Sequence, residues 1–284
     1  MSYLDHQGMT IMWKAALFYL LLFTSAMQCL RAQDIYRDNA SDPVSMRSHA
    51  SVDLESFIFH NEAQFFSLRP GYYYGLRNER HLLGMSLPIV HNIFKGDYAG
   101  FENTTGVGDL RISYLFVPYL KKNSIGIERI TLAFDVSVPT GEYKLGRGAG
   151  AWLYKPGVVF TYRPGPWLAF YPELRFQFSG SDVNSEAGID GAPDPDDPEK
   201  DNSLQNLSLA LPMVAQLEDW DGWFGIHILY TRSLVEKTDF IFLRTDFGKM
   251  LSERAAASIR ITKFIAGQPR LNVVVQANFS FFLF

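Results

Sequence analysis

Charged side chains recur at every second position in several segments of this sequence, and the positions between them are apolar. In Arg129–Val138, for example, Asp135 shares a face with Thr131 and Ser137, whereas Phe134 and Val136 lie on the other face. Opposite charges around one enclosed space can form ion pairs across it, or they can screen a passing solute by size and charge. The full set of polar positions that we expect to face one interior is Arg69, Asp109, Arg111, Asp135, Lys155, Glu173, Arg175, His227, Arg244, Asp246 and Arg260.

Catalytic and metal chemistry find less support in the sequence. A serine hydrolase needs a serine, a histidine and an orienting acid or amide on one face. His227 and Ser233 share a predicted strand, but no G-x-S-x-G motif occurs. No two histidines have H-x-x-x-H spacing, and the acidic loop Asp190–Asp201 lacks the D-x-[DN]-x-[DN]-G pattern of a calcium loop. We therefore expect no catalytic residues, no metal site and no cofactor.

Composition narrows the class of partner. The 284 residues carry a net charge of -4, and the basic residues form too few clusters to neutralise a phosphate backbone, which argues against nucleic acid as a partner. The chain is rich in aromatic residues, with 23 Phe, 14 Tyr and 5 Trp. No stretch outside the N-terminal region approaches ~18 consecutive apolar residues, so the sequence predicts no transmembrane helix.

Residues 1–33 have the pattern of a signal peptide. Lys14 precedes the short apolar run Ala15–Phe23, and small residues follow, with cleavage expected near Ala32. The only cysteine, Cys29, lies inside this segment. The mature chain would then contain no cysteine, which excludes a disulfide scaffold and a thiolate metal site.

Alternation of apolar and polar residues predicts twelve β-strands in the exported chain. All but the first are long enough for the ~9–11 residues that a tilted membrane strand requires. The sequence leaves open whether the first segment is a strand. The predicted segments are Asp53–His60, Phe65–Leu76, His81–Phe94, Asp109–Tyr119, Arg129–Val138, Ala151–Arg163, Trp167–Ser179, Leu204–Leu217, Trp223–Ser233, Thr238–Lys249, Ala255–Phe264 and Leu271–Phe284.

Connection lengths give a test that does not depend on periodicity. In an outer-membrane barrel, long outer loops alternate with short periplasmic turns. The long connections Lys95–Val107, Pro139–Gly150 and Gly180–Ser203 all fall on one side of that alternation. The short connections Arg77–Arg80, Pro164–Pro166 and Glu218–Gly222 all fall on the other, with Leu120–Glu128 of middling length.

These features favour an all-β fold, namely a transmembrane antiparallel up-and-down β-barrel of about twelve strands over residues 53–284, rather than a soluble β-sandwich. The polar face has Gly and mixed Arg and Asp with few Lys, which suits a polar lumen better than a solvated surface. Aromatic residues near strand ends would form the interface girdles that outer-membrane lipid requires. These residues are Tyr72, Tyr74, Trp152, Tyr162, Trp167, Trp223 and Tyr230. We expect Asp34–Val52 to be a flexible periplasmic leader, too short to plug the lumen.

The C-terminus, Asn278–Phe284, resembles the terminal signal by which barrel-assembly machinery recognises its clients. Phe279, Phe281 and Leu283 share the apolar face, which leaves Phe284 on the other face unless a bulge shifts the register. The resemblance implies the assembly machinery as a partner.

Three motifs resemble the outer-membrane family named for the phenol meta-cleavage degradation pathway. They are Gly106-Val107-Gly108-Asp109-Leu110, Val138-Pro139-Thr140-Gly141-Glu142-Tyr143, and Leu145-Gly146 with Gly148. The resemblance in spacing extends from about Phe65 to Phe284, and it implies a monomeric barrel for uptake of small organic or aromatic compounds, without catalytic residues. Without the resemblance, the glycines and the proline of these motifs indicate turns rather than a ligand-binding site.

The sequence thus predicts a channel in the bacterial outer membrane for passive diffusion of a small organic solute, with no energy coupling. One alternative is a non-transporting barrel whose loops, especially Gly180–Ser203, bind a surface partner. A barrel enzyme is the third hypothesis. Charged residues that merely pair and fill the lumen stand as an equal alternative to a constriction that screens solutes.

Overall fold

A computed structural model of the protein describes residues 40–59, 63–93, 103–121, 125–180, 204–267 and 271–283. The predicted signal peptide 1–33, most of the long loops 95–107 and 180–203, and Phe284 lie outside these residues. In the described part of the chain, no helix is long and apolar enough to cross a bilayer.

The described residues form one antiparallel sheet that closes on itself, which confirms the predicted twelve-stranded barrel. Each strand pairs with its neighbours in sequence, and the first strand pairs with both the second and the last. Three strands consist of two segments each. The strands are β1 His49–Phe59, β2 Gln64–Gly75, β3 His81–Ser86 with Ile89–Ile93, β4 Thr104–Val107 with Leu110–Leu120, β5 Gly126–Val138, β6 Leu153–Gly165, β7 Leu168–Phe170 with Glu173–Ser179, β8 Gln205–Leu217, β9 Gly222–Ser233, β10 Asp239–Ser252, β11 Ala255–Gly267 and β12 Leu271–Phe282.

Side chains along the strands alternate between the outer surface and the interior of the barrel, as predicted. In β5, Leu132 and Phe134 are 46% and 41% exposed on the outer surface, whereas Thr131 and Ala133 between them are buried inside. Exposed Leu54, Leu83, Ile112, Ile259 and Phe279 extend the apolar outer surface around the barrel. Such a surface belongs in lipid, where closure also satisfies every strand edge.

Because the strand number is even, the chain returns to the end at which it started. We call the end with residues 40–48 and Leu283 the terminal end, and the opposite end the loop end. The connections that follow β2, β4, β6, β8 and β10 lie at the terminal end, and the predicted long loops follow β3, β5 and β7 at the loop end. The parity of connection lengths is therefore as predicted.

The first strand is real and longer than predicted. It begins at His49, before the expected barrel start at Asp53, and it runs to Phe59. Val52 and Leu54 point outward, and Asp53 is buried inside the barrel.

The interior of the terminal end is apolar, which alternation did not predict. Inward side chains such as Leu82, Leu115, Trp223 and Phe282 form a buried cluster there. Trp223, expected in an aromatic girdle, is only 2% exposed and lies in this cluster. The girdle prediction holds for Tyr72, Tyr74, Trp152 and Tyr162, which are exposed on the outer surface.

The prediction that no plug enters the lumen is wrong for residues 40–48. Val44 and Met46 are 2% and 6% exposed, and both pack into the apolar cluster at the terminal end. The argument from length failed because the segment does not have to fill the lumen alone. Inward side chains of the strands also occupy this end of the barrel, and the short segment packs against them.

Candidate functional site: the barrel lumen

A belt of charged side chains crosses the middle of the lumen, and its largest group surrounds Arg69 on β2. The Arg69 guanidinium forms ion pairs with Asp53 at 3.2 Å and Glu55 at 2.9 Å, both on β1. The side-chain amides of Gln276 and Asn278 on β12 donate to the other oxygen of Asp53, at 2.9 Å and 2.8 Å. These bonds join both strands that flank β1, so the group also fastens the seam where the barrel closes.

A second group centres on Arg175 on β7. Its guanidinium forms ion pairs with Glu173 on the same strand and with Asp135 on β5. The hydroxyl of Ser113 on β4 donates to the other oxygen of Asp135 at 2.5 Å. Arg175 therefore bonds two carboxylates, and the group links β4, β5 and β7 through Ser113 and Asp135.

The third group joins β10, β11 and β12. Arg260 donates to Asp246 at 3.2 Å and to the side-chain oxygen of Gln276 at 3.3 Å. Gln276 also donates to Asp53, so this group is continuous with the one around Arg69. Paired charges of this kind are what a filled lumen would contain, and the role of the belt stays a prediction.

Besides Asp109, which is described below, four predicted lumen residues do not form ion pairs among the described residues. Arg111 is exposed to the lumen, and Lys155 is partly exposed there. Arg244 donates to the hydroxyl of Thr262 at 3.1 Å. His227 on β9, opposite Arg244, is 5% exposed, and its Nε2 has no hydrogen-bond partner in the described part of the chain. These residues are the part of the belt that pairing does not explain.

Sequence reasoning missed several members of the belt. Asp53 and Glu55 lie on β1, whose existence was left open, and Gln276 and Asn278 lie on the last strand. All four share the inward parity of their strands, so the same alternation could have found them. Their partners could not be found that way, because cross-strand pairing depends on the register between strands.

Asp109 occupies a different place from the other predicted residues. It precedes the long segment of β4, and its two carboxylate oxygens accept hydrogen bonds from the backbone N–H groups of Gly141 (2.9 Å) and Ala149 (2.8 Å). Both belong to the connection between β5 and β6, which we call the inner loop (residues 139–150). Asp109 therefore holds a loop, and it takes no part in an ion pair among the described residues.

The inner loop packs on the lumen side of β3 and β4. The buried amide of Asn92 donates to the carbonyls of Leu145 (2.8 Å) and Gly146 (3.0 Å). Arg147 donates to the Thr105 carbonyl at 2.9 Å. A Cβ atom on Gly106 would stand 1.7 Å from the Arg147 guanidinium, so a larger residue there would require the Arg147 side chain to move.

This packing explains the three sequence motifs together. The glycines and Asp109 of the first motif receive the loop, and Thr140, Gly141 and Gly146 of the other two form it. Thr140 accepts from the N–H of Leu110 and donates to the Gly108 carbonyl, both at 2.9 Å. This packing supports the structural interpretation of the motifs. Their residues serve the close packing of the inner loop as well as turns of the chain.

The N-terminal segment (residues 40–48) closes the terminal end of the lumen. Asp42 forms an ion pair with Arg129 on β5, and both side chains are under 10% exposed. The Gln216 amide on β8 donates to the Ser41 hydroxyl at 2.7 Å. Because β1 leaves from the opposite wall, these contacts carry the segment across the lumen.

A cavity of about 280 Å³ remains between the N-terminal segment and the belt. Val44, Leu115 and Phe282 contribute apolar surface, and Arg69, Arg175 and Arg260 contribute charge. The cavity can hold a small molecule that combines an apolar body with a polar group.

Comparison with solved structures gives the same fold. An outer membrane channel from Pseudomonas putida F1 matches with a TM-score of 0.63 at 13% identity, covering 85% of this chain and 99% of that chain. The KdgM porin matches with a TM-score of 0.53 at 9% identity, covering 82% and 99%. The NanC porin matches with a TM-score of 0.53 at 9% identity, covering 83% and 100%. No curated protein matches the sequence.

Family comparison agrees with the resemblance seen in the motifs. The model of the family described as "Putative MetA-pathway of phenol degradation" matches residues 53–194, a range that contains most of β1, all of β2 to β7 and the whole inner loop. With its closed barrel and lipid-facing outer surface, this chain is a bacterial outer-membrane protein. The chain belongs to that family.

Proposed function

We propose that the protein is a channel for passive diffusion of a small organic solute across the outer membrane. The observation that carries the proposal is the cavity of about 280 Å³ inside a closed barrel, bounded by charge on one side and apolar side chains on the other. Structurally similar barrels include an outer membrane channel and porins, which supports a channel but names no solute for this chain.

The route runs from the loop end to the terminal end. A solute passes the inner loop, then the charged belt, and then enters the cavity above the N-terminal segment. The solute can leave the lumen at the terminal end only if this segment moves, because Val44 and Met46 fill the apolar end of the lumen. Displacement has to break the ion pair of Asp42 with Arg129 and the hydrogen bond of Ser41 with Gln216.

We further propose that assembly of the barrel uses the C-terminal strand as a recognition signal for the barrel-assembly machinery. Phe279 and Phe281 are each 49% exposed on the outer face of β12, where a partner can reach them. Phe284 lies outside the described residues.

The occupied terminal end also favours a second candidate, a non-transporting barrel whose loops bind a surface partner. No comparable observation supports the third hypothesis, a barrel enzyme. Ser233 accepts a hydrogen bond from the backbone N–H of Glu236, and the structure shows no contact between Ser233 and His227 among the described residues.

Swelling of proteoliposomes separates the two candidates. We expect vesicles with purified protein to swell in small neutral organic solutes such as glycerol and benzyl alcohol, at rates that fall with solute size. Matched vesicles with an unrelated non-channel barrel give the background. No swelling above this background in any small solute would overturn the channel.

A further inference from the structure

We propose that Arg129 is a binding site for the carboxylate of a small organic acid, and that Asp42 occupies this site while the N-terminal segment closes the lumen. A solute carboxylate that takes the place of Asp42 then releases the segment. The proposal rests on the proposed channel function and deepens it, since it names the chemical class of solute and the event that opens the terminal end.

Arg129 lies on β5 near the terminal end, and its guanidinium is placed to hold a carboxylate. The residue is 7% exposed. Its Nη2 donates to Asp42 and, at 3.3 Å, to the hydroxyl of Thr161 on β6. Glu128, the adjacent residue on the same strand, forms its ion pair with Arg163. Because a buried guanidinium without an anion is strongly destabilising, the site requires a carboxylate, and Asp42 supplies it.

Asp42 uses only part of the site. One of its carboxylate oxygens binds Nη2 of Arg129, and the other accepts a hydrogen bond from the backbone N–H of Val44 at 2.9 Å. The Nε of Arg129 is buried and has no hydrogen-bond partner among the described residues. A guanidinium offers Nε and Nη2 side by side, and a free carboxylate can bind both through its two oxygens. A solute carboxylate can therefore make one more charge-assisted bond to Arg129 than Asp42 does.

The cavity next to the N-terminal segment brings a solute to this site. Asp42 is one of the residues that line the cavity, whereas Arg129 does not line it. A solute in the cavity therefore meets Asp42 before it meets Arg129. Leu115 on β4 and Phe282 on β12 give the cavity apolar surface that remains when the segment leaves. An aromatic or aliphatic monocarboxylate suits both features, because its charged group can replace Asp42 while its body contacts the apolar surface.

Exchange of one carboxylate for another couples binding to opening. If Asp42 leaves without a replacement, the buried charge of Arg129 stays unpaired, which opposes release of the segment. A bound solute carboxylate removes this cost, and a neutral solute of the same shape does not. By thermodynamic linkage, an organic acid that favours the released segment also binds more tightly once the segment has been released. Both directions of this coupling can be measured.

Trypsin cleavage of the unaltered full chain in detergent micelles measures the first direction. Arg47 lies in the N-terminal segment, so release of the segment exposes its peptide bond to the protease. Para-fluorobenzoate at about ten times its Kd should speed cleavage after Arg47 about tenfold, because it binds only the released form. Neutral para-fluorobenzyl alcohol should not speed this cleavage. Cleavage at Lys144 and Arg147 in the inner loop is the internal control and should not respond to either compound.

Fluorine NMR titrations of variants measure the second direction. Asp42→Asn keeps the shape of the side chain and removes its charge. Para-fluorobenzoate should then bind at least about tenfold more tightly than to the wild type, because nothing competes for Arg129. The affinity of the neutral alcohol should change much less. Asp219→Asn removes the same charge from an exposed position at the same end of the barrel, and it should bind para-fluorobenzoate as the wild type does. In Arg129→Gln, the preference for the acid over the alcohol should disappear.

Equal rates of cleavage after Arg47 with the acid, with the alcohol and with neither would overturn the proposal, as would an unchanged affinity for para-fluorobenzoate in Asp42→Asn. The trypsin measurement needs no variant, so it decides even if Arg129→Gln does not fold. Swelling gives a separate result. Release of the segment by para-fluorobenzoate without permeation of any solute removes the channel alone, and permeation without an effect of para-fluorobenzoate removes the carboxylate site alone.

Discussion

At the scale of single residues, the lumen contains charged side chains in direct ion pairs, which join parts of the barrel wall, and charged side chains without such a pair. Arg69 and Arg260 tie neighbouring strands through buried carboxylates, and Arg175 ties β7 to Asp135 on β5. Removing one partner of such a pair costs more than the pair contributes, because the other charge remains buried and unpaired. The paired arginines should therefore be stability residues, in contrast to Arg111 and Lys155.

Arg69→Gln should destabilise the barrel by about 3 kcal/mol, since it leaves Asp53 and Glu55 unpaired at 10% side-chain exposure. Urea unfolding in lipid vesicles measures the change. Adding Glu55→Gln should recover part of the loss, because one uncompensated charge is removed. Arg232→Gln breaks a pair whose side chains are 45% and 47% exposed, so it should cost at most about 1 kcal/mol. Equal effects of Arg69→Gln and Arg232→Gln would contradict this division.

Asp109 is the residue on which the inner loop depends. Asp109→Ala leaves the N–H groups of Gly141 and Ala149 without their acceptors, which costs about 1–3 kcal/mol for each buried group. We expect the loop to detach and trypsin to cut at Lys144 or Arg147 faster than in the wild type. Asp239→Ala, at the exposed start of β10, serves as the control. Unchanged cleavage of the Asp109 variant would show that the loop is held by other contacts.

At the scale of elements, the barrel carries an inward-packed segment at each end. The inner loop rests on β3 and β4, and the N-terminal segment crosses to β5 and β8. The N-terminal segment also meets β2 closely, where the Ser48 hydroxyl accepts from the Gly75 N–H at 2.9 Å. A Cβ atom on Gly75 would stand 2.0 Å from the Met46 carbonyl oxygen.

Gly75→Ala should therefore displace the N-terminal segment. The contact is with backbone, so the clash cannot be relieved by rotating a side chain. A reporter cysteine at Val44, in a chain with Cys29→Ser, should be protected from a water-soluble maleimide and become labelled when Gly75→Ala is added. Gly165→Ala is the matched control, because its Cβ would meet only the Trp167 side chain at 3.5 Å. Protection that persists with Gly75→Ala would mean that the segment is fastened elsewhere.

The sequence predicted the strands well because alternation is a local property. It identified β5 and the outward positions Leu132 and Phe134 without any knowledge of neighbours. It missed the N-terminal segment for a physical reason. Near the terminal end both faces of the wall are apolar, one toward lipid and the other toward Val44 and Met46, so the alternation fades there.

For the predicted lumen residues, alternation indicates the inward face of a strand but not the partner on another strand. The expected inward residues include Arg175 and Arg260, and the structure shows both in ion pairs inside the barrel. Which carboxylate meets which arginine depends on register and shear, which a single strand does not encode. Asp109 shows the limit most clearly, since its partners lie in a loop whose folded position no periodicity reveals.

At the scale of the whole molecule, every inference depends on the two faces of one wall meeting different surroundings. Arg111 and Ile112 are consecutive in β4, one exposed to the lumen and the other 38% exposed on the outer surface. A spin label attached to a cysteine at either position reports its surroundings directly, through relaxation by dissolved oxygen, which concentrates in lipid, or by a water-soluble nickel chelate.

We predict, for protein in lipid vesicles with Cys29→Ser, that the label at position 112 is relaxed by oxygen and shielded from the nickel chelate. The label at position 111 should respond to the nickel chelate and little to oxygen. Matching responses at the two adjacent positions, or protein that stays monomeric in buffer without detergent, would contradict a barrel whose charged face encloses a water-filled interior.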